Sequence, residues 1–134
     1  MQRVFADANV LFSAAYNPKR HIASLWNLPD TEIVTSAYAA AEALRNLRRK
    51  YPDKIAELRA LLSRTKLVPS AGKVPAGIVN QLHEKDHPIL AAAIACRATH
   101  LLTGDDDFAP LFGRVIEGVL VIRPGDYLRL RAAE

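Results

Sequence analysis

Five carboxylates stand where a folded chain could gather them: Asp7, Glu42, Asp86, Asp105 and Asp107. Acids that meet without a counter-charge repel one another and raise each other's pKa values. A divalent cation resolves that conflict, and an all-oxygen donor set favours Mg²⁺ or Mn²⁺ over zinc. The histidines His21, His83, His87 and His100 lack metal-ligand spacing, and the lone Cys96 offers no thiolate cluster. One or two such ions would activate a water and stabilise charge on a phosphate undergoing in-line displacement, with no covalent protein nucleophile. Each acid also has a purely structural reading. Asp7 could cap a helix, and Asp86, two residues before Pro88, has the form of an N-cap. Glu42 could be a solvated helix residue, although Ala39, Ala40, Ala41, Ala43 and Leu44 around it are apolar. GDDDF, residues 104–108, could be only a turn.

The elements that must position these acids alternate between strand and helix. Arg3 to Ala6 reads as a first strand, with Asn9 able to cap a helix beginning near Val10. A second helical stretch follows Pro18 to about Asn27. Glu32 to Thr35 is a second strand, and Ser36 caps a helix from Ala37 to about Lys50. Tyr51-Pro52-Asp53 restarts a helix to about Ser63, before a short third strand from Lys66 to Val68. Val68 to Gly77 reads as a loop, and Ile78 to Leu82 as one or two helical turns. Asp86 precedes a helix from Pro88 to about Thr99; His100 to Thr103 and Val119 to Ile122 are further strands, and Pro124-Gly125 opens a last helix. Short apolar strands alternating with helices predict an α/β sandwich around a parallel sheet covered on both faces.

Ligands of open parallel sheets bind beyond the carboxyl ends of the strands, where the winding reverses. Asp7 follows the first strand and Asp105 the fourth, so they face each other if those strands are neighbours. Glu42 can point inward if its helix packs beside the first strand. Connectivity alone puts Asp86, at the start of the helix feeding the fourth strand, at the opposite end. It reaches the crevice only if the chain from Val68 to Lys85 crosses back over the sheet.

Three segments carry a resemblance: FADANVLFSA from Phe5 to Ala14, SAYAAAEALRNL from Ser36 to Leu47, and DHPILAAAIACRATHLLTGDDDF from Asp86 to Phe108. In order and spacing they resemble the PIN-domain family, the nuclease domain of VapC-like toxins in toxin–antitoxin systems. Ala8 stands where that family usually has a small hydroxylated residue. The resemblance implies a five-stranded parallel sheet ordered 3-2-1-4-5, with the start of the Asp86 helix brought to the acids. It implies an Mg²⁺- or Mn²⁺-dependent endoribonuclease leaving a 5′-phosphate and a 3′-hydroxyl. Asp7, Glu42, Asp86 and Asp105 would be catalytic metal ligands, Asp107 an auxiliary ligand, and Asn9 and Thr103 orienting hydrogen-bonders. A small antitoxin covering the site, and often a homodimer, are implied too.

At 134 residues the chain suits one domain. One cysteine excludes an internal disulfide and suits a reducing cytoplasm. No signal-peptide pattern and no membrane-length apolar run is present. The net charge of +4 is compatible with a polyanionic partner. Lys19, Arg20, Arg45, Arg48 and Arg49 are candidates to contact RNA phosphates, or else a solvated basic face. His87 reads as a helix-start residue facing solvent, Phe12, Tyr16 and Trp26 as core or interface, and Leu25 and Leu58 as core or partner contacts. A haloacid-dehalogenase-like phosphatase would want an acid two residues after Asp7, where Asn9 stands. A non-catalytic RNA- or protein-binding module on the same fold is the remaining alternative.

Overall fold

The computed structural model describes residues 1–134. In chain order the regular elements are β1 (Gln2–Ala6), α1 (Ala8–Tyr16), β2 (Thr31–Ser36), α2 (Ala37–Lys50), α3 (Ile55–Leu62), β3 (Lys66–Val68), α4 (His87–Ala95), β4 (His100–Leu102), β5 (Val115–Ile116), β6 (Val119–Ile122) and α5 (Pro124–Ala132). Six strands form one sheet in the order β3-β2-β1-β4-β6-β5. All pairings are parallel except β5 with β6. The expected fifth strand is therefore β6, in its expected place beside β4. The sequence reading missed β5, a two-residue edge strand that folds back on β6 through Glu117 and Gly118, both at positive φ. So short a strand carries no alternation to read.

Residues alternate along the strands between two cores, which is why the strands read as nearly unbroken apolar runs. Phe5, Val34, Leu101 and Val121 join Ile89, Leu90, Phe108 and Leu111 on one face. Val4, Ala6, Ile33, Leu102 and Ile122 join Val10, Leu11, Ala43, Leu47, Leu58 and Tyr127 on the other. Leu25 and Leu58 lie in this second core at 1% and 0% exposure, which removes them as partner contacts.

Three local expectations change. The cap of α1 is Asp7, whose carboxylate accepts from Ala8 N–H; Asn9 lies inside the first turn. Residues His21–Asn27 wind as a 3₁₀ helix rather than a regular one. The tighter turn brings Ile22 and Leu25, three apart, onto the same side against the core. Finally α4 stops at Ala95, because Arg97 adopts a left-handed φ of 58° that reverses the chain into β4.

The chain between β3 and α4 decides the site. It returns across the face covered by α4, burying Ile78 and Leu82 and packing Val74 against the same core. Gly72, at φ +101°, passes so close to α4 that a Cβ there would lie 2.8 Å from the Ala91 carbonyl oxygen. His87 is half-buried rather than free in solvent: its Nε2 lies 3.1 Å from Val79 O and 3.0 Å from Leu82 O, tying the start of α4 to this segment. Tyr38, at the start of α2, donates from its hydroxyl to Lys85 O at 3.0 Å. The path ends with Asp86 at the carboxyl edge of the sheet.

Candidate active site

Parallel pairing of β1 with β4 sets Ala6 opposite Leu102, so the next residues, Asp7 and Thr103, leave the sheet side by side. Both are buried, Asp7 at 3% exposure and Thr103 at 0%. The Thr103 hydroxyl donates to Asp7 Oδ2 at 2.8 Å and accepts from Asp105 N–H at 3.1 Å. Asn9 closes the gap between the strand ends. Its amide nitrogen lies 3.1 Å from Thr103 Oγ1 and 3.3 Å from Asp7 Oδ2, and its amide oxygen accepts from Gly104 N–H at 2.7 Å. Asn9 and Thr103 thus hold Asp7 and the Gly104–Asp105 backbone in one hydrogen-bonded unit.

Asp105 accepts from Asp107 N–H at 2.9 Å, a turn that swings both carboxylates to the same side. Oxygens of Asp86, Asp105 and Asp107 all lie within 4.8 Å of one another. Asp106, between them, points away and pairs with Arg123 at 2.7 Å. Asp86 is 6% exposed and begins α4 without capping it by a side-chain hydrogen bond. Its carboxylate instead contacts Lys85 Nζ at 2.9 Å. The purely structural reading of Asp86 as a helix cap is therefore not what its side chain does.

Glu42, half-buried on α2, lines the same cleft as Asn9, Lys85 and Asp105. The cleft, about 520 Å³, extends past Asn46, Lys50, Phe12, Ser13 and Ile22. Glu42, Asn46 and Lys50 lie four residues apart, one face of α2. Arg45, Arg48 and Arg49 are exposed but outside this lining, as are Lys19 and Arg20. Lys50, which was not among the expected phosphate contacts, is the basic residue of α2 that enters the cleft, with Nζ 5.8 Å from the Phe12 ring centre. Phe12 is half-buried and packs against the second core, whereas Tyr16 is exposed. They form a surface cluster with Tyr51, whose ring centre is 4.4 Å from that of Tyr16. Trp26 is part-buried and donates to Thr65 Oγ1.

Burial is the main electrostatic force on the inner acids. It pushes Asp7 from 3.8 up to about 6 against the hydrogen bonds from Thr103 and Ala8, with the charges of Asp86 and Glu42 adding to the rise. Burial also raises Asp86, opposed by Lys85. Asp105 goes the other way: its partial burial is outweighed by the Asp107 N–H and the Lys85 ammonium. No Lys, Arg or His forms an ion pair with Asp7 or Glu42. The inner part of the cluster therefore holds negative charge without a protein counter-charge. The hard oxygen donors of the cluster fit Mg²⁺ or Mn²⁺, and those of Asp86, Asp105 and Asp107 lie close enough together to share an ion. Lys85 is the residue of this centre that the sequence reading missed; only its place beside Asp86 pointed to it.

A family model described as PIN domain matches residues 4–111. Among solved structures the chain is similar to VapBC2 from Rickettsia felis, bound to a DNA fragment from its promoter. The identity is 17% and the TM-score 0.70, over 91% of this chain and 98% of that one. It is also similar to VapBC-1 from nontypeable Haemophilus influenzae, at 16% identity and TM-score 0.64, over 92% of this chain and 99% of that one. A third similar structure is PAE2754 from Pyrobaculum aerophilum, at 16% identity and TM-score 0.61, over 99% of this chain and 97% of that one. No curated protein matches the sequence.

Proposed function

Because the chain belongs to the PIN domain family, we propose that it is a divalent-metal-dependent endoribonuclease and the toxin of a toxin–antitoxin pair. The observation that carries this reading is that acids from four separate stretches of chain come near one another: Glu42 and Asp105 line one cleft, Asp86 shares Lys85 with Asp105, and Asp7 feels the charges of Asp86 and Glu42, while neither Asp7 nor Glu42 has a basic partner. Family membership replaces the phosphatase alternative, and Asn9 gives it no support, since its amide is engaged with Asp7, Thr103 and Gly104.

Asp7, Glu42, Asp86 and Asp105 would hold Mg²⁺ or Mn²⁺, with Asp107 as an auxiliary ligand. A cation bound there supplies Lewis acidity and a water of lowered pKa. The chain's own groups do the rest. Thr103 and Asn9 fix the Asp7 carboxylate, and the Asp107 N–H fixes Asp105. Such outer hydrogen bonds keep ligands oriented. Lys50 and Asn46 offer contacts to RNA phosphate and sugar along the cleft, and Lys19, Arg20, Arg45, Arg48 and Arg49 supply a diffuse positive surround.

No helix is long and apolar enough to cross a membrane. A cytoplasmic site of action fits an RNA substrate and a single free cysteine, Cys96. VapBC toxin–antitoxin complexes among the structural neighbours favour a small antitoxin partner, and we extend the homodimer expected from the family to this chain. Incubation with single-stranded RNA or DNA of matched sequence, in Mg²⁺, Mn²⁺ or EDTA, tests the reading beside Asp7→Asn and Asp105→Asn. Metal-dependent cleavage of RNA, lost in both variants, is expected. Binding without cleavage under any metal would assign the chain to non-catalytic RNA-binding modules instead.

A further inference from the structure

Three aromatic rings gather where α1 and α2 end. Phe12 and Tyr16, one turn apart on α1, stack with planes 10° apart and centres 6.4 Å apart. Tyr51, the residue that ends α2, leans on both, its ring centre 4.4 Å from that of Tyr16 and 6.0 Å from that of Phe12. Phe12 packs inward against the second core, but Tyr16 and Tyr51 keep 42% and 38% of their surface exposed. Pinning α1 to α2 accounts for Phe12; it leaves the open faces of the two tyrosines unused.

The rings are continuous with the acids. Phe12, Lys50, Glu42 and Asp105 line a single cleft. Glu42 and Lys50 stand two turns apart on one face of α2, about 12 Å along its axis. A strand lying in the cleft with one phosphate at the acids therefore reaches the rings with a unit further along. The charge at that end is positive. Lys50 Nζ lies 5.8 Å from the Phe12 ring centre and forms no ion pair, and Arg48 and Arg49 complete the last turn of α2. Cations beside open aromatic faces match a strand that offers a phosphate and a flat base in every unit, the combination by which unpaired nucleic acid is held without regard to sequence. An apolar protein segment laid over the same rings would desolvate Lys50 without a counter-charge; an RNA phosphate supplies one.

We propose that Tyr16 and Tyr51, backed by Phe12, are a stacking subsite for one unpaired base of the RNA substrate, with Lys50 on the phosphate beside it. This rests on the ribonuclease reading above and deepens it, because stacking on these rings requires a base free of its neighbours and is blind to which base it is.

Binding of the full-length chain, in EDTA, to a short unstructured RNA with a central 2-aminopurine tests this, because that base loses fluorescence when it stacks on a ring. Wild type is expected to quench it. Tyr16→Leu combined with Tyr51→Leu is expected to abolish the quench and to weaken binding about 5- to 100-fold. Tyr16→Phe combined with Tyr51→Phe, which restores both rings without their hydroxyls, is expected to bring quench and affinity back. Lys50→Met is expected to reduce the salt slope of log K by about 0.7. Circular dichroism and thermal unfolding establish that each variant is folded. Binding without quench in wild type, or binding and quench that the paired Leu variant leaves unchanged, would overturn the proposal, while cleavage of the same RNA in Mg²⁺ would keep the ribonuclease reading intact. A paired Leu variant that binds RNA like wild type but no longer self-associates in sedimentation would give the surface to a second copy of the chain instead. A wild-type chain that neither binds nor cuts the RNA would overturn both readings.

Discussion

Replacing Asp7 by Asn should stabilise the metal-free protein at neutral pH, and only there. Asp7 is 3% exposed. Its Oδ1 accepts from Ala8 N–H at 2.7 Å, and its Oδ2 from Thr103 at 2.8 Å and Asn9 at 3.3 Å. Those bonds do not offset the burial of charge, because the carboxyl is pushed from 3.8 to about 6. A difference of that size is worth about 3 kcal/mol. The sign follows from proton linkage. Between about pH 4 and pH 6 the folded form binds more protons than the unfolded form, so stability falls as pH rises through that window. Above it the penalty is complete. Asn removes the charge, but its NH₂ cannot accept from Thr103, so the hydroxyl must turn round; that costs about 1 kcal/mol. The net expectation at pH 7.5 in EDTA is a gain of about 2 kcal/mol, fading to a small loss near pH 4. Urea unfolding followed by circular dichroism from pH 4 to pH 8 measures it directly. Saturating Mn²⁺ should reverse the order, since only wild type gains from ligand binding to the folded state. A variant less stable than wild type at pH 7.5 in EDTA, or a difference that does not change with pH, would refute this electrostatic account of the site.

Two further substitutions probe the scaffold. Thr103→Val removes the hydroxyl that joins Asp7 to Asp105 N–H. It should cost about 2 kcal/mol in urea unfolding, because a buried acceptor and a donor lose their partner, and RNA cleavage should fall even under conditions where the fold remains intact. Gly72→Ala meets a left-handed φ and a Cβ position 2.8 Å from Ala91 O. A loss of about 2–3 kcal/mol is expected, with faster amide exchange in residues 72–86 as the return segment lifts from α4; unchanged exchange there would mean the segment is held by something else.

Much of the architecture was legible because its causes are local. Strand-length apolar runs followed by Asp7 and by Gly104–Asp105 place those acids at strand ends whatever the rest of the chain does. Ser36 caps α2 through Ala39 N–H as its residue type predicts. Small shifts came from short-range competition. Asp7 rather than Asn9 took the cap of α1, since the side chain nearest the first free N–H wins it. The two-residue β5 exists only because β6 offers an open edge.

Asp86 and Lys85 are different in kind. Nothing in HEKDHP says which end of the sheet these residues occupy, because that depends on the path of residues 69–83. That path is fixed by contacts made far away in sequence: Ile78 and Leu82 in the core, Gly72 against Ala91, and Tyr38 on the Lys85 carbonyl. The same holds for charge. The sequence determined which acids the chain carries and in what order they follow its strands and helices. Only the tertiary structure decided that Asp106 faces Arg123, that Lys85 serves Asp86, Asp105 and Asp107, and that Asp7 and Glu42 are left without a basic partner. Coulombic energy depends on separation in space, and sequence spacing fixes that separation only within a single element.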